Sequence, residues 1–221
     1  MTASARIIAI GDIHGYSQSL AALLNAVRPQ PEDTIVTLGD YVDRGPDSKG
    51  VLEMLLALER HCRLVPILGN HDEMMLDIAH GRTEFFENWL SYGGTATLAS
   101  YGCARPSQIP PSHVAFLERC RDYFETEHHF FVHGNYWPGL PLPEHRALEL
   151  RWESLRQRTP GPHMSGKVAV VGHTAQKDGE ILDLGYLKCI DTWCYGGGWL
   201  TALEVQEGTV WQADQEGRLR P

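Results

Sequence analysis

Short apolar runs alternate with stretches of helical periodicity along the first part of the chain. The runs at 6–10, 34–38 and 63–68 are rich in β-branched or leucine side chains, and their length is typical of buried strands. Between them, 17–27 and 51–58 carry apolar residues at helical spacing, which predicts two amphipathic helices. This strand–helix order predicts parallel strands joined by right-handed crossovers.

The pattern changes in the middle of the chain. Several helical stretches occupy roughly 73–122, which predicts a helical insert. Two strands are expected near 123–134, a helix over 146–158, a strand over 167–174, and meandering antiparallel strands after that. We therefore expect a single α/β (α+β) domain over residues 1–221.

Each predicted strand of the first half ends in a glycine that is followed by a polar residue. Asp12, Asp40 and Asn70 occupy these positions. Ligands of open α/β sheets bind beyond the carboxyl ends of the strands. We therefore expect these three side chains to converge, although they lie far apart in the sequence.

The chain is acidic, with 19 Lys and Arg against 28 Asp and Glu and a formal net charge of -9. This balance argues against binding to nucleic acid or to an anionic membrane surface. No apolar run approaches the roughly 20 residues that span a bilayer, and the N-terminus lacks the apolar core of a signal peptide. Five cysteines without a CxxC pair are typical of reduced thiols, so we expect a cytoplasmic location.

Five short signatures carry the candidate chemistry. They are Gly-Asp-Ile-His-Gly (11–15), Gly-Asp-Tyr-Val-Asp-Arg-Gly (39–45), Gly-Asn-His-Asp (69–72), His-Gly (133–134) and Gly-His-Thr (172–174). They offer carboxylate, amide and imidazole groups without a thiolate, a donor set that suits Mn, Fe or Zn. Two Asp, three His and one Asn exceed the ligands of one tetrahedral ion, which predicts a site for two divalent metal ions.

At these signatures the chain resembles the calcineurin-like metallophosphoesterases. Within them it is most similar to the phosphoprotein phosphatase branch, with its bacterial and phage serine/threonine protein phosphatases. The resemblance spans nearly the whole chain, because Cys-Ile-Asp-Thr (189–192) and Trp-Leu-Thr-Ala-Leu (199–203) also look like closing strands of the family. It implies two stacked mixed β-sheets flanked by helices, and a metal-dependent phosphoesterase activity.

The resemblance also implies six metal ligands. They are Asp12 and His14 for the first ion, Asp40 as the bridging carboxylate, and Asn70, His133 and His173 for the second ion. Mn is the expected metal, with Fe and Zn as alternatives, because all three suit this donor set.

Three further residues resemble the catalytic groups of the family. His71 resembles the general acid, Asp43 the carboxylate that orients it and Arg44 the phosphate clamp. An aspartate partner raises the pKa of a histidine towards its working range, and a guanidinium matches phosphate oxygens bidentately. A serine stands where the family has a second arginine, and we expect Arg151, in preference to Arg156, to bind the substrate in its place.

The resemblance implies hydrolysis of phosphoserine and phosphothreonine monoesters by in-line attack of a metal-bridging hydroxide. A phosphorylated protein or a small phosphoester is then the expected partner. Asp72 stands where the protein phosphatases usually have glutamate and is more similar to the dinucleoside tetraphosphate hydrolases, so a symmetrical hydrolase of that kind is an alternative. A broad small-molecule phosphatase or phosphodiesterase is another. The intact His71, Asp43 and Arg44 argue against a metal-bound interaction module without turnover.

Overall fold

The computed structural model describes residues 5–221 and contains two five-stranded β-sheets. The strands are β1 (Ile7–Ile10), β2 (Thr34–Thr37), β3 (Arg63–Pro66), β4 (Tyr123–Glu125), β5 (His129–Val132), β6 (Val168–Val171), β7 (Leu182–Asp183), β8 (Leu187–Cys189), β9 (Leu200–Glu204) and β10 (Val210–Ala213). The α-helices are α1 (Ser17–Val27), α2 (Ser48–Leu58), α3 (Asn70–Ala79), α4 (Phe86–Trp89), α5 (Thr95–Tyr101) and α6 (Pro111–Glu118). A π-helical turn, Leu90–Gly94, connects α4 to α5.

Both sheets are mixed. The first has the strand order β10–β9–β1–β2–β3, and the second has the order β4–β5–β6–β8–β7. Strands β1, β2 and β3 run parallel, as their alternation with helices predicts, and β9 returns antiparallel to β1. The predicted antiparallel pairs at the end of the chain are confirmed, but β7–β8 belongs to the second sheet and β9–β10 to the first.

Apolar side chains fill the space between the two sheets. Val36 and Val65 of the first sheet share one buried cluster with Phe131 and Val170 of the second. The opposite face of the first sheet is covered by α1 and α2, whose predicted apolar stripes are buried except for the half-buried Leu24 and Leu56. Packing on both faces fixes the direction of the parallel strands, so their carboxyl ends meet at one edge of the stacked sheets.

The helical insert is confirmed between β3 and β4, where α3, α4, α5 and α6 follow one another. The prediction of a helix over 146–158 is wrong for most of that range. Only one π-helical turn forms, at Leu148–Trp152. The carbonyl of Leu150 accepts the N–H of Gly134 at 2.6 Å, so it does not continue the helix. The backbone at Glu153 is already extended.

Across residues 5–221, no helix is both long enough and apolar enough to cross a membrane. The expected cytoplasmic location and the single-domain organisation stay predictions.

Candidate metal centre

The loops that follow β1 and β2 are joined by backbone hydrogen bonds. Ile13 and His14 both donate their N–H groups to the carbonyl of Asp40, at 3.1 and 2.7 Å. The N–H of His71, in the first turn of α3, donates to Oδ1 of Asp40 at 3.0 Å. The polar residues at the strand ends therefore converge as their spacing predicts, with Asp40 in the middle.

Glycine is required beside two of the carboxylates. A Cβ atom on Gly69 would overlap Oδ1 of Asp40, and a Cβ atom on Gly172 would overlap Oδ1 of Asp12. At these two positions, the glycine that precedes the polar residue of the signature thus leaves space for a carboxylate from another loop.

The backbone is strained in these loops. Among residues 5–221, seven residues other than glycine have a positive φ, and six of them lie in the loops around the site. These six are His14, Asp40, Asp43, Arg44, His173 and Trp193. Such a conformation disfavours residues with a Cβ atom, so the surrounding contacts must hold the side chains in place.

Two groups of side chains place their donor atoms close enough to hold a cation. One comprises His14, Asp40 and His71, and the other comprises Asp40, His133 and His173. Within each group the donor atoms lie within 4.8 Å of one another. The two groups share Asp40, so a carboxylate stands between two adjacent cation positions.

The hydrogen bonds of two histidines fix which ring nitrogen faces the site. His133 directs Nδ1 to the carbonyl of Leu38 at 2.7 Å, so Nδ1 carries the proton and Nε2 is a lone-pair donor. His173 directs Nε2 to the carbonyl of Trp152 at 3.1 Å, which leaves Nδ1 as its lone-pair donor. Both lone pairs lie 3.0 Å from Oδ1 of Asn70. Three electron-pair donors that face one another are stabilised by a cation between them, so this set fits a metal ion.

Burial favours the neutral form of three histidines of the site. It lowers the pKa of His14 and His133, and it lowers the pKa of His173 to about 4. Burial alone would raise the pKa of Asp40, but the surrounding imidazoles, His133 first, bring it below the usual value. Neutral imidazoles around an ionised carboxylate are the form in which these groups bind metals.

Further buried carboxylates lie beside this set. Burial, followed by the neighbouring charges of Asp191 and Asp40, raises the pKa of Asp12 well above its usual value. Burial also raises the pKa of Asp191 to about 7. Adjacent acids without enough positive charge repel one another, and bound divalent ions would relieve this repulsion.

Asp12 lies at the edge of the two donor groups and belongs to neither. Its carboxylate accepts the backbone N–H of His173, with 3.0 Å to Oδ2. Its role as a ligand of the first ion stays a prediction.

His71 lies between a carboxylate and a guanidinium. Its Nδ1 donates to Oδ2 of Asp43 at 2.8 Å, and its Nε2 accepts from Arg44 at 2.9 Å. A second nitrogen of Arg44 lies 2.8 Å from Nε2 of His14. The guanidinium carbon lies 4.0 Å from the ring centre of Tyr195, so that ring forms one wall beside the cluster.

Arg151 is held by two carboxylates, those of Glu73 and Asp122. Its side chain is largely buried, and its Nε is without a partner. Trp152 donates its indole N–H to Glu73 at 2.6 Å. The backbone carbonyl of the same residue accepts from His173. The expected binding of substrate by Arg151 stays a prediction.

Several residues near the site were not found by reasoning from the sequence. Trp89 and Thr97 contact Asp43 from the helical insert, and Tyr195 stacks on Arg44. They belong to segments without a strand-end signature. Asp191 lies in the Cys-Ile-Asp-Thr segment, where an acid two residues after the end of a strand was the available signal.

Comparison with known families gives a match over most of the chain. A family described as calcineurin-like phosphoesterase matches residues 5–198. The chain is 29% identical over 206 residues to serine/threonine-protein phosphatase 1 of Salmonella typhimurium, a match that covers 89% of this chain and 90% of that protein. It is 48% identical over 73 residues to the symmetrical bis(5'-nucleosyl)-tetraphosphatase of Erwinia tasmaniensis, covering 33% of this chain and 26% of that protein.

Two solved structures share the fold. One is a protein provisionally named a diadenosine tetraphosphatase, with a TM-score of 0.72, 22% identity, and coverage of 96% of this chain and 94% of that one. The other is a cold-active protein-tyrosine phosphatase of a psychrophilic Shewanella, with a TM-score of 0.69, 17% identity, and coverage of 98% and 80%. At these identities the likeness supports the fold alone.

Proposed function

Because the chain belongs to the calcineurin-like phosphoesterase family, whose members are metal-dependent hydrolases, we propose that it hydrolyses phosphoserine and phosphothreonine monoesters in proteins. One observation carries the reaction: His71, paired with Asp43, and the Arg44 guanidinium meet at two donor groups that share Asp40, and His71 itself belongs to one of these groups. The similarity to a serine/threonine phosphatase over 89% of the chain supports the substrate class.

The donor set fits two divalent ions, with Mn as our first choice. The proposed ligands are Asp12, His14, Asp40, Asn70, His133 and His173. When bound, such ions supply a nucleophilic hydroxide at neutral pH and neutralise charge on the phosphoryl group.

The residues of the chain have separate tasks in this reaction. Asp43 accepts a hydrogen bond from Nδ1–H of His71, which leaves Nε2 to carry the proton for the leaving oxygen, and the Asp43 carboxylate stabilises the imidazolium that carries it. Arg44 directs two nitrogens at imidazoles that are weaker acceptors than a phosphate oxygen, so a phosphate group can take over these hydrogen bonds. The departure of Arg44 from His71 also frees Nε2 to take up a proton from solvent and to pass it to the leaving oxygen.

A second candidate is a symmetrical dinucleoside tetraphosphate hydrolase. It is favoured by the 48% identity over 73 residues. Asp72, which raised this alternative, does not discriminate between the two. Its carboxylate is fully buried and accepts the backbone N–H groups of Asp40, Tyr41 and Gly69, at 2.7, 2.9 and 3.1 Å. A buried side chain whose oxygens are bound to backbone N–H groups does not contact a substrate and does not select between substrates.

A competition experiment separates the two candidates. Mn-loaded protein is given a phosphoserine peptide and diadenosine tetraphosphate in one mixture, the reaction is stopped with EDTA, and the products are separated by ion exchange. We expect the peptide to release inorganic phosphate while the dinucleotide persists. Preferential formation of adenosine diphosphate would reject the protein-phosphatase proposal in favour of the second candidate. The His71→Asn variant controls for contaminating phosphatases.

A further inference from the structure

The helical insert contacts the carboxylate that partners His71. The indole Nε1 of Trp89 lies 3.1 Å from Oδ1 and 3.0 Å from Oδ2 of Asp43. The hydroxyl of Thr97 donates to Oδ1 of Asp43 at 2.8 Å and accepts the backbone N–H of the same residue at 2.8 Å. Trp89, Thr97 and Asp43 are all fully buried.

The position of the indole is fixed by its surroundings. Gly94 packs against it so closely that a Cβ atom at this position would overlap the ring of Trp89. The carbonyl of the adjacent Gly93 accepts the backbone N–H of Arg44 at 3.3 Å. The turn between α4 and α5 therefore supports the two neighbouring residues Asp43 and Arg44 together.

A buried carboxylate needs several donors to stay in one orientation. Asp43 has three side-chain donors, namely His71, Trp89 and Thr97. Two of them come from the insert, and without them the carboxylate could rotate and take the imidazole with it.

We propose that Trp89 and Thr97 are positioning residues that fix the Asp43 carboxylate and thereby hold His71 in the orientation that protonates the leaving oxygen. The insert is then part of the catalytic apparatus as well as a cover for the sheet. This inference rests on the proposed role of His71 in phosphomonoester hydrolysis.

The test compares two monoesters with the Mn-loaded protein. The nitrophenolate released from p-nitrophenyl phosphate is stable without a proton, whereas the leaving group of phenyl phosphate depends more on a general acid. Trp89→Phe and Thr97→Val remove one donor each and keep the bulk of the side chain. We expect kcat to fall at least ~10-fold more on phenyl phosphate than on p-nitrophenyl phosphate. This is less than the full ~10²–10⁴-fold contribution of a general acid, because each variant misplaces His71 without removing it.

Two variants serve as controls. Thr97→Ser keeps the hydroxyl and should retain kcat on both substrates. Trp211→Phe changes a tryptophan of β10 that packs against the apolar core, and it should leave the ratio of the two rates unchanged. An equal loss on both substrates in Trp89→Phe and Thr97→Val, or no loss on either, would overturn the proposal.

A spectroscopic readout makes the test independent of turnover. In Zn-loaded protein labelled with ¹⁵N-histidine, the Nδ1 proton of His71 should give a far-downfield NMR signal that is absent from Asp43→Asn. We expect this signal to move upfield in Trp89→Phe and Thr97→Val and to persist in Trp211→Phe. An unchanged signal in the first two would also overturn the proposal. If the wild type hydrolyses neither monoester, the proposed function fails, while the NMR signal still decides the positioning role.

Discussion

His71 uses both ring nitrogens, and each contact has a different partner. Nδ1 is bound to a buried carboxylate, and Nε2 meets a guanidinium that a phosphate group can attract away. This arrangement distinguishes His71 from the other histidines of the site. In His14 and His133, Nδ1 contacts a backbone carbonyl and Nε2 is directed towards Asp40. His71 also has a donor atom close enough to join one cation group, so its role as an acid needs a direct test.

The substitution His71→Asn provides that test. We expect kcat on a phosphoserine peptide to fall by at least ~100-fold, because a general acid contributes at least about this factor. The metal content of the protein, measured by mass spectrometry of the purified sample, should be unchanged. Loss of one metal equivalent would instead make His71 a ligand, and unchanged turnover would remove it from the mechanism. His61→Asn, at an exposed position, is the matched control.

At the residue scale, the sequence predicts which polar residues come together at the site, but it does not predict the residues that hold them in position. Asp12, Asp40 and Asn70 directly follow glycines at strand ends, so sheet geometry predicts that they converge. Trp89 and Thr97 make side-chain contacts across 46 and 54 residues, and contacts at such separations leave no periodic pattern in the chain.

The helix α3 shows how one element brings chemistry and stability together. It begins at Asn70, so two polar residues of the site occupy its first turn, while Met75 and Ile78 are buried in the core. Asp72 binds the backbone N–H of Gly69 at the N-cap and two N–H groups of the loop that carries Asp40. The start of the helix is thereby tied to the neighbouring loop.

We expect Asp72→Ala to lower the free energy of unfolding by roughly 2–4 kcal/mol, because three buried N–H groups lose their acceptor. Urea denaturation followed by circular dichroism measures this change. Asp77→Asn lies on the same helix and weakens only a surface pair with Arg82, so its effect should stay under about 1 kcal/mol. Equal effects of the two substitutions would show that Asp72 does not tie α3 to the loop.

The helix predicted over 146–158 does not form along most of that range, because a contact from another element replaces its internal hydrogen bonds. Its apolar spacing is helical, but Gly134 takes the carbonyl of Leu150 for a tertiary hydrogen bond. Local propensity yields to such contacts whenever they satisfy the backbone equally well.

At the scale of the whole molecule, the two sheets both contribute residues to the candidate metal centre. Asp40 follows a strand of the first sheet, whereas His133 and His173 follow strands of the second, and their donor atoms form one group. A cation at this position would bind both sheets at once. The order of the strands in the first half of the chain was predictable from its periodicity. The return of β9 to the first sheet was not predictable, because pairing between strands that lie far apart in the sequence depends on tertiary packing.

Removal of metal should therefore weaken the entire fold. A ligand that binds only the native state at 100 times its Kd stabilises that state by about 2.7 kcal/mol. We expect EDTA to lower the Tm in differential scanning calorimetry and Mn to restore it. His133→Ala should have a lower Tm in Mn than the wild type and should respond less to EDTA. An identical Tm with and without EDTA in the wild type would argue against a cation that bridges the sheets.

The positive φ angles around the site have an evolutionary consequence. Each such residue costs on the order of 1–3 kcal/mol of backbone strain, and the side chains of His14, Asp40 and Asp43 justify that cost only while catalysis is under selection. A descendant that has lost its activity is free to exchange these residues for glycine or asparagine and to become more thermostable. Natural variation at these three positions would therefore record whether a lineage has kept the reaction.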